Sequence, residues 1–241
     1  METIVISSGK GGVGKTSMAV NLSVVMARDF GMHVALIDAD IGTANVNLLF
    51  GVTPHKTIKD IQNGVDPAEV AMLVDGVVLY AGDSGDAPEG GYDISGIVEA
   101  VKTTEPEVII LDTHPGVTQS SIDAIRAGDH IVVVSTPEIT SVTDTYQLIK
   151  QIRSDKKRVS IVMNESDRTT GYAKSNLIMG VAKIHLDRNV HYLGHINESR
   201  VVKKAILNQV PFYVTNQRSR VAGDLVAVCN NLLLNQDKGG V

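Results

Sequence analysis

Short apolar runs rich in Val, Ile and Leu alternate along this chain with longer stretches in which the apolar positions return with helical period. The short runs predict strands over 3–8, 33–38, 77–81, 108–112, 130–135, 159–164 and 190–196. The longer stretches predict helices over 17–29, 94–103, 119–127, 141–154, 172–187, 200–208 and 220–234. Strand and helix in alternation is the pattern of an α/β fold, a doubly wound, mostly parallel sheet with helices on both faces. In such sheets ligands sit outside the carboxyl ends of the strands. The polar residues that close four of these runs, Ser8, Asp38, Asp112 and Asn164, therefore carry more weight than polar residues elsewhere.

Composition supports this pattern. The chain is 43% hydrophobic but only 4% aromatic, with no Trp, which points to the aliphatic core of a buried parallel sheet. No repeat or low-complexity linker interrupts the order, so one domain over residues 1–241 is expected, with the Gly- and Asp-rich run 82–91 as a surface loop. A formal net charge of -5 argues against a protein whose main work is coating nucleic acid. The single cysteine, Cys229, lies in an apolar run and cannot form an internal disulfide or a metal cage, which fits a reducing compartment. No run approaches the roughly 20 apolar residues that span a bilayer, the first strand begins almost at Met1, and residues 232–241 lack a basic amphipathic face. A cytoplasmic protein without a membrane helix of its own is expected, any membrane contact being peripheral and through a partner.

The chemistry concentrates in GKGGVGKT, residues 9–16, which satisfies GxxxxGK[ST] between a predicted strand and a predicted helix. Glycines let consecutive backbone N–H groups turn inward on phosphate oxygens, and the helix that follows adds its positive end. Gly11, Gly12, Val13, Gly14, Lys15, Thr16 and Ser17 form the expected nucleotide cradle, with Lys15 on the β- and γ-phosphates and Thr16 offering its hydroxyl to Mg²⁺. Asp38 and Asp40 lie two apart at the end of the second strand and Asp112 ends the fourth, where a carboxylate holds Mg²⁺ through water. The guanine-reading NKxD signature is absent, which favours ATP.

Lys10 is the departure from an ordinary phosphate loop. With it, KGGVGKT resembles the deviant Walker A loop of the MinD/ParA family of P-loop ATPases. The likeness continues through IDADIGTANVNLLFG (37–51) as a first switch, containing Asn45 and Asn47, and ILDTHPG (110–116) as a second, and covers nearly the whole chain. It implies a homodimer closing around two ATP molecules, with Lys10 reaching the nucleotide of the other subunit, Asp40 orienting the attacking water, and Thr16, Asp38 and Asp112 serving the metal shell. Lys10, Lys15 and Asp40 are then the catalytic set. Asn164 matches the family asparagine that reads the adenine edge, and 197–212 the segment that wraps the base. Two departures stand out: His114 and Pro115 replace the usual DxxAG of the second switch, and Asn197 stands where the family carries proline. His114 reads as a loop residue, with catalytic base as the alternative.

Residues 135–150, STPEITSVTDTYQLIK, resemble the MinD-like branch and within it the flagellar-number regulators FlhG and FleN, with archaeal MinD-like proteins close by. The expected function is a slow, partner-stimulated ATPase acting as a dimerisation switch for the number or placement of a cellular structure, flagellar or division-site in type. The competing reading is DNA partition by an ATP dimer, for which Arg200, Lys203, Lys204, Arg218 and Arg220 would supply the basic patch, although a solvated face is the simpler reading of those charges. A cluster carrier of the nitrogenase iron protein type would need paired cysteines across the dimer, which one Cys229 does not offer.

Overall fold

The computed structural model describes residues 1–40, 42, 44–83, 85, 91–152 and 156–234. Eight strands form one sheet: β1 (Glu2–Ser7), β2 (Val34–Ala39), β3 (Met72–Val74), β4 (Val77–Tyr80), β5 (Val108–Thr113), β6 (His130–Ser135), β7 (Arg158–Met163) and β8 (His191–His195). The helices are α1 (Lys15–Asp29), α2 (Val46–Leu49), α3 (Ile58–Gln62), α4 (Pro67–Val70), α5 (Ile94–Lys102), α6 (Gln119–Ala127), α7 (Ile139–Gln151), α8 (Arg168–Leu186), α9 (Arg200–Leu207), α10 (Phe212–Thr215) and α11 (Arg220–Leu234).

The order across the sheet is β3-β4-β2-β5-β1-β6-β7-β8, parallel everywhere except between β3 and β4. Each central strand is buried along its length because helices cover both faces, and Ile4 and Ile6 of β1 point to one core while Val5 points to the other. One core is closed by α1, α10 and α11, the other by α3, α5, α7 and α8. The first strand sits between β5 and β6, so the order of connection runs in opposite directions on its two sides and a crevice opens at its carboxyl end. That crevice is where Ser8, Asp38 and Asp112 had been expected to converge.

All seven predicted strands are present within one or two residues. The strand β3 was not expected: Met72–Val74 is short and only half buried, and it is recruited by an antiparallel hairpin to β4 at the sheet edge. The helix expected over 141–154 runs instead from Ile139 to Gln151, and residues 153–155 lie outside the described residues. Its start is earlier because Glu138, in extended backbone, already turns into the helix with Val142 N–H on its carbonyl. Helix α8 likewise begins at Arg168, because the Asp167 carboxylate caps Thr169 and Thr170. Of the loop expected over 82–91, positions 84 and 86–90 lie outside the described residues, as do Ile41 and Thr43 of the first switch and residues 235–241 of the C-terminal run.

Candidate nucleotide-binding site

The loop after β1 is built to hold an anion. Helix α1 starts with Gly14 as its N-cap at φ 88, without a side-chain cap and without an acidic residue in its first turn. Its leading N–H groups and positive end are therefore left for a ligand. Only glycine suits position 14: beyond the left-handed backbone, a Cβ there would lie 2.3 Å from Asn164 Nδ2. Gly9 is equally constrained, since a Cβ would fall 2.2 Å from the backbone carbon of Asp144 in α7. At Gly12, φ 78, a Cβ would meet nothing within 4 Å, so the mouth of the loop is open where Gly9 and Gly14 close its walls.

Behind the loop, Lys15 is buried and its Nζ lies 2.8 Å from Asp112 Oδ1 and 3.8 Å from Asp40 Oδ2. Asp38, at the end of β2, is fully buried, and both its oxygens are used by the first switch: Oδ1 accepts from Asp40 N–H at 3.1 Å, and Oδ2 from the N–H groups of Asn45 and Val46 at 3.0 Å. Asp112, at the end of β5 and directly opposite Asp38 in the register, is also fully buried, with Oδ2 making no hydrogen bond. Burial, with Asp112 adding, pushes Asp38 up to about 7. Burial raises Asp112 as well, while Lys15 and the Thr16 hydroxyl pull it back.

Three carboxylates and one ammonium share this crevice, an excess of negative charge that is costly in a poorly solvated place. A divalent cation would suit it: Asp112 Oδ2 is buried with no hydrogen-bond partner, the Thr16 hydroxyl lies beside that carboxyl, and both oxygens of Asp38 accept from backbone. Among the described residues no cluster of three or more His, Cys, Asp or Glu with metal-ligand geometry exists.

Next to the loop lies a cavity of about 150 Å³, a size at which an apolar pocket takes one aromatic ring. Gly12, Gly14 and Ser17 form its phosphate side, Met18, Val202, Phe212 and Leu225 its apolar walls, and Asn164, Glu165 and Asn197 its polar edge. Asn164 is fixed by donating from Nδ2 to the Val13 carbonyl at 2.9 Å, and Asn197 by its backbone N–H and its Nδ2 on the Asp224 carboxylate at 3.1 and 2.7 Å.

The structure thus brings Gly11 to Ser17, Asp38, Asp40, Asp112 and Asn164 around one crevice. Lys10 is the exception. Its Nζ points away from the crevice to Glu138 Oε2 at 2.8 Å and Thr140 Oγ1 at 3.4 Å at the start of α7, with the lysine 42% exposed. The hydrogen bond to Glu138 and the nearby carboxylate raise the lysine above its ordinary range. His114, expected as a loop residue, lies in the loop after β5 and makes a contact there: its Nδ1 lies 2.8 Å from Asp40 Oδ1. Asn47 is structural, donating from Nδ2 to Val52 O. Sequence reasoning missed Glu138 and the His114–Asp40 pair because both contacts join distant segments; the only local signal was the departure of 114–115 from the usual second switch.

A glycine loop between strand and uncapped helix, a buried lysine and strand-end aspartates define a P-loop nucleotide hydrolase. A profile of the ParA family, described as NUBPL iron-transfer P-loop NTPase, matches residues 1–233, and the chain belongs to this family of P-loop ATPases. It is 30% identical over 242 residues to the antiactivator FleN of Pseudomonas aeruginosa, covering 96% of this chain and 86% of that protein. It is also 30% identical to the flagellum site-determining protein YlxH of Helicobacter pylori, over 84% of this chain and 72% of the relative. Among solved structures, the MinC:MinD cell division complex of Aquifex aeolicus aligns with a TM-score of 0.81 at 23% identity, covering 97% of this chain and 96% of that one. MinD of Pyrococcus horikoshii, solved with Mg-ADP, aligns at 0.78 and 22% identity, over 96% and 95% of the two chains. The fold is the MinD fold, and the site is one for a nucleotide.

Proposed function

We propose that this protein is an ATP-driven dimerisation switch that sets the number or placement of a cellular structure, flagellar in type. The carrying observation is the division of labour between its two loop lysines: Lys15 is buried among the strand-end carboxylates, whereas Lys10 stands at the exposed rim on a solvent-accessible partner, Glu138. A lysine on the rim is placed to meet a second molecule. The flagellar names of FleN and YlxH support the cellular role.

In this reading the backbone N–H groups of residues 11–16 and Lys15 hold the triphosphate, and Asn164 with the cavity walls holds adenine. Thr16, Asp38 and Asp112 would hold Mg²⁺, Asp38 through water, and the ion would supply positive charge against the β- and γ-phosphates. Asp40 orients the attacking water, and Lys10 of a second copy adds positive charge where it develops at hydrolysis. Turnover then resets the switch, and a protein partner that reads the closed dimer accelerates it. Among the described residues no helix is long and apolar enough to cross a membrane, so membrane contact in this reading is peripheral.

Sedimentation with Mg-ATP, Mg-ADP and no nucleotide tests the switch: a dimer with ATP alone is expected, and a monomer under all three conditions ends the proposal. DNA retention measured against salt in the same samples separates partition, since phosphate contacts weaken steeply as salt rises. The basic residues of α9 favour the switch, because Lys203 is already paired with Glu198 at 2.6 Å.

A further inference from the structure

We propose that His114 is a positioning residue for hydrolysis: it holds one oxygen of Asp40 so that the other faces the reacting water. This deepens the function proposed above and rests on Asp40 as the water-orienting carboxylate.

The geometry is specific. Asp40 Oδ1 lies 2.8 Å from His114 Nδ1, and Asp40 Oδ2 lies 3.8 Å from Lys15 Nζ, on the phosphate side of the crevice. A carboxylate oxygen offers only lone pairs, so Nδ1 carries the hydrogen and donates. The two oxygens are thereby given different surroundings, Oδ1 tied to the second switch and Oδ2 turned toward the cradle. When Lys15 engages phosphate its ammonium leaves Oδ2 for the ligand, while Oδ1 keeps its tether to His114.

The imidazole is itself on a fixed base. On one side of it, the Thr113 hydroxyl donates to the Ile6 carbonyl of β1 at 3.1 Å. On the other, Gly116 N–H donates to the Ser8 carbonyl at 2.7 Å, and Pro115 packs at the loop beside Gly11. The second switch is thus bonded to the end of β1, directly before the phosphate loop, on both sides of His114, and the ring transmits that position to Asp40 in the first switch. Loss of the His114 contact would shift the oxygen that Asp40 offers to water, and small misplacements of a reacting group lower rates steeply.

The test is single-turnover hydrolysis of labelled ATP with Mg²⁺ and the full chain in excess, comparing native protein, His114→Ala, His114→Asn and Asp40→Ala. Affinity for a fluorescent ATP analogue and thermal melting are measured on the same samples. Removing the ring should slow hydrolysis roughly 10- to 100-fold at unchanged nucleotide affinity, because His114 touches Asp40 and not the cradle. Asparagine, whose amide N–H can take the place of Nδ1–H, should recover most of the rate. A native rate in His114→Ala, equal losses in the alanine and asparagine variants, or a loss traced to weaker nucleotide binding would each overturn the positioning role. If Asp40→Ala is also as fast as native, or the native chain does not hydrolyse ATP, the underlying function fails instead. A slow Asp40→Ala beside a normal His114→Ala sinks only the inference about His114.

Discussion

At the scale of single residues, charge in buried places decides most outcomes. Lys15 is the counter-ion of Asp112 and the cation meant for phosphate, so Lys15→Ala should act twice. Nucleotide affinity should fall by roughly 100-fold or more, the loss of a strong charge-assisted contact, and the unliganded fold should lose on the order of 3 kcal/mol because a buried carboxylate is left unpaired. Titration with a fluorescent nucleotide and denaturant unfolding measure the two effects, and unchanged affinity would remove Lys15 from the site. His130, at the opposite end of the sheet, gives a pH effect of definite sign. Burial, with His191 adding, lowers it to about 4, and its Nε2 bonds Ser160 Oγ at 2.8 Å. Below pH ~6.5 the unfolded chain takes up a proton that the fold refuses until about 4, so stability falls as pH drops through that window, by about 3 kcal/mol in all. Denaturation of native protein against His130→Gln at several pH values isolates this term. The difference between them should shrink by that amount toward pH 4, and a pH-independent difference would show the imidazole to be solvated.

At the scale of elements, the phosphate loop depends on what packs behind it. Gly9 leaves no room for a side chain against the Asp144 backbone, so Gly9→Ala must push α7 away from the loop. A destabilisation of about 1–3 kcal/mol is expected from the overpacking, together with weaker nucleotide binding, because Gly9 is the first residue of the phosphate loop and shifts with it. Gly12→Ala, where there is open space, should leave stability nearer to native apart from the cost of its positive φ. Melting temperatures of the two variants make the comparison, and equal losses would mean that space behind the loop is not the constraint. Much at this scale was legible in sequence. The strands of 3–8 and 108–112 and the helix of 119–127 announce themselves by apolar period, and the glycine loop by its spacing. The strand at 72–74 did not, because three residues, the middle one exposed, are too few to show a period and form a strand only where β4 provides an edge.

At the scale of the whole molecule, the functional unit proposed is a pair. Lys10→Ala should keep nucleotide affinity near native and lose ATP-dependent dimerisation in sedimentation, since its exposed partner Glu138 contributes nothing to the cradle. Asp40→Ala should do the reverse, binding nucleotide and persisting as a dimer because its reset is slow. A Lys10→Ala protein that still dimerises with ATP would assign the interface to other residues.

The sequence by itself determined the class of fold and the chemistry of the loop. Both are written in local order: apolar period sets strand and helix, and the glycine spacing of GKGGVGKT permits a backbone that turns its amides inward. Only the tertiary structure decided the pairings, which join residues far apart in the chain: Lys15 with Asp112, His114 with Asp40, Lys10 with Glu138. Neighbours of that kind arise from strand order and helix packing, and no local pattern encodes them. A switch residue such as His114 therefore looks like a loop substitution until the sheet sets it beside its carboxylate.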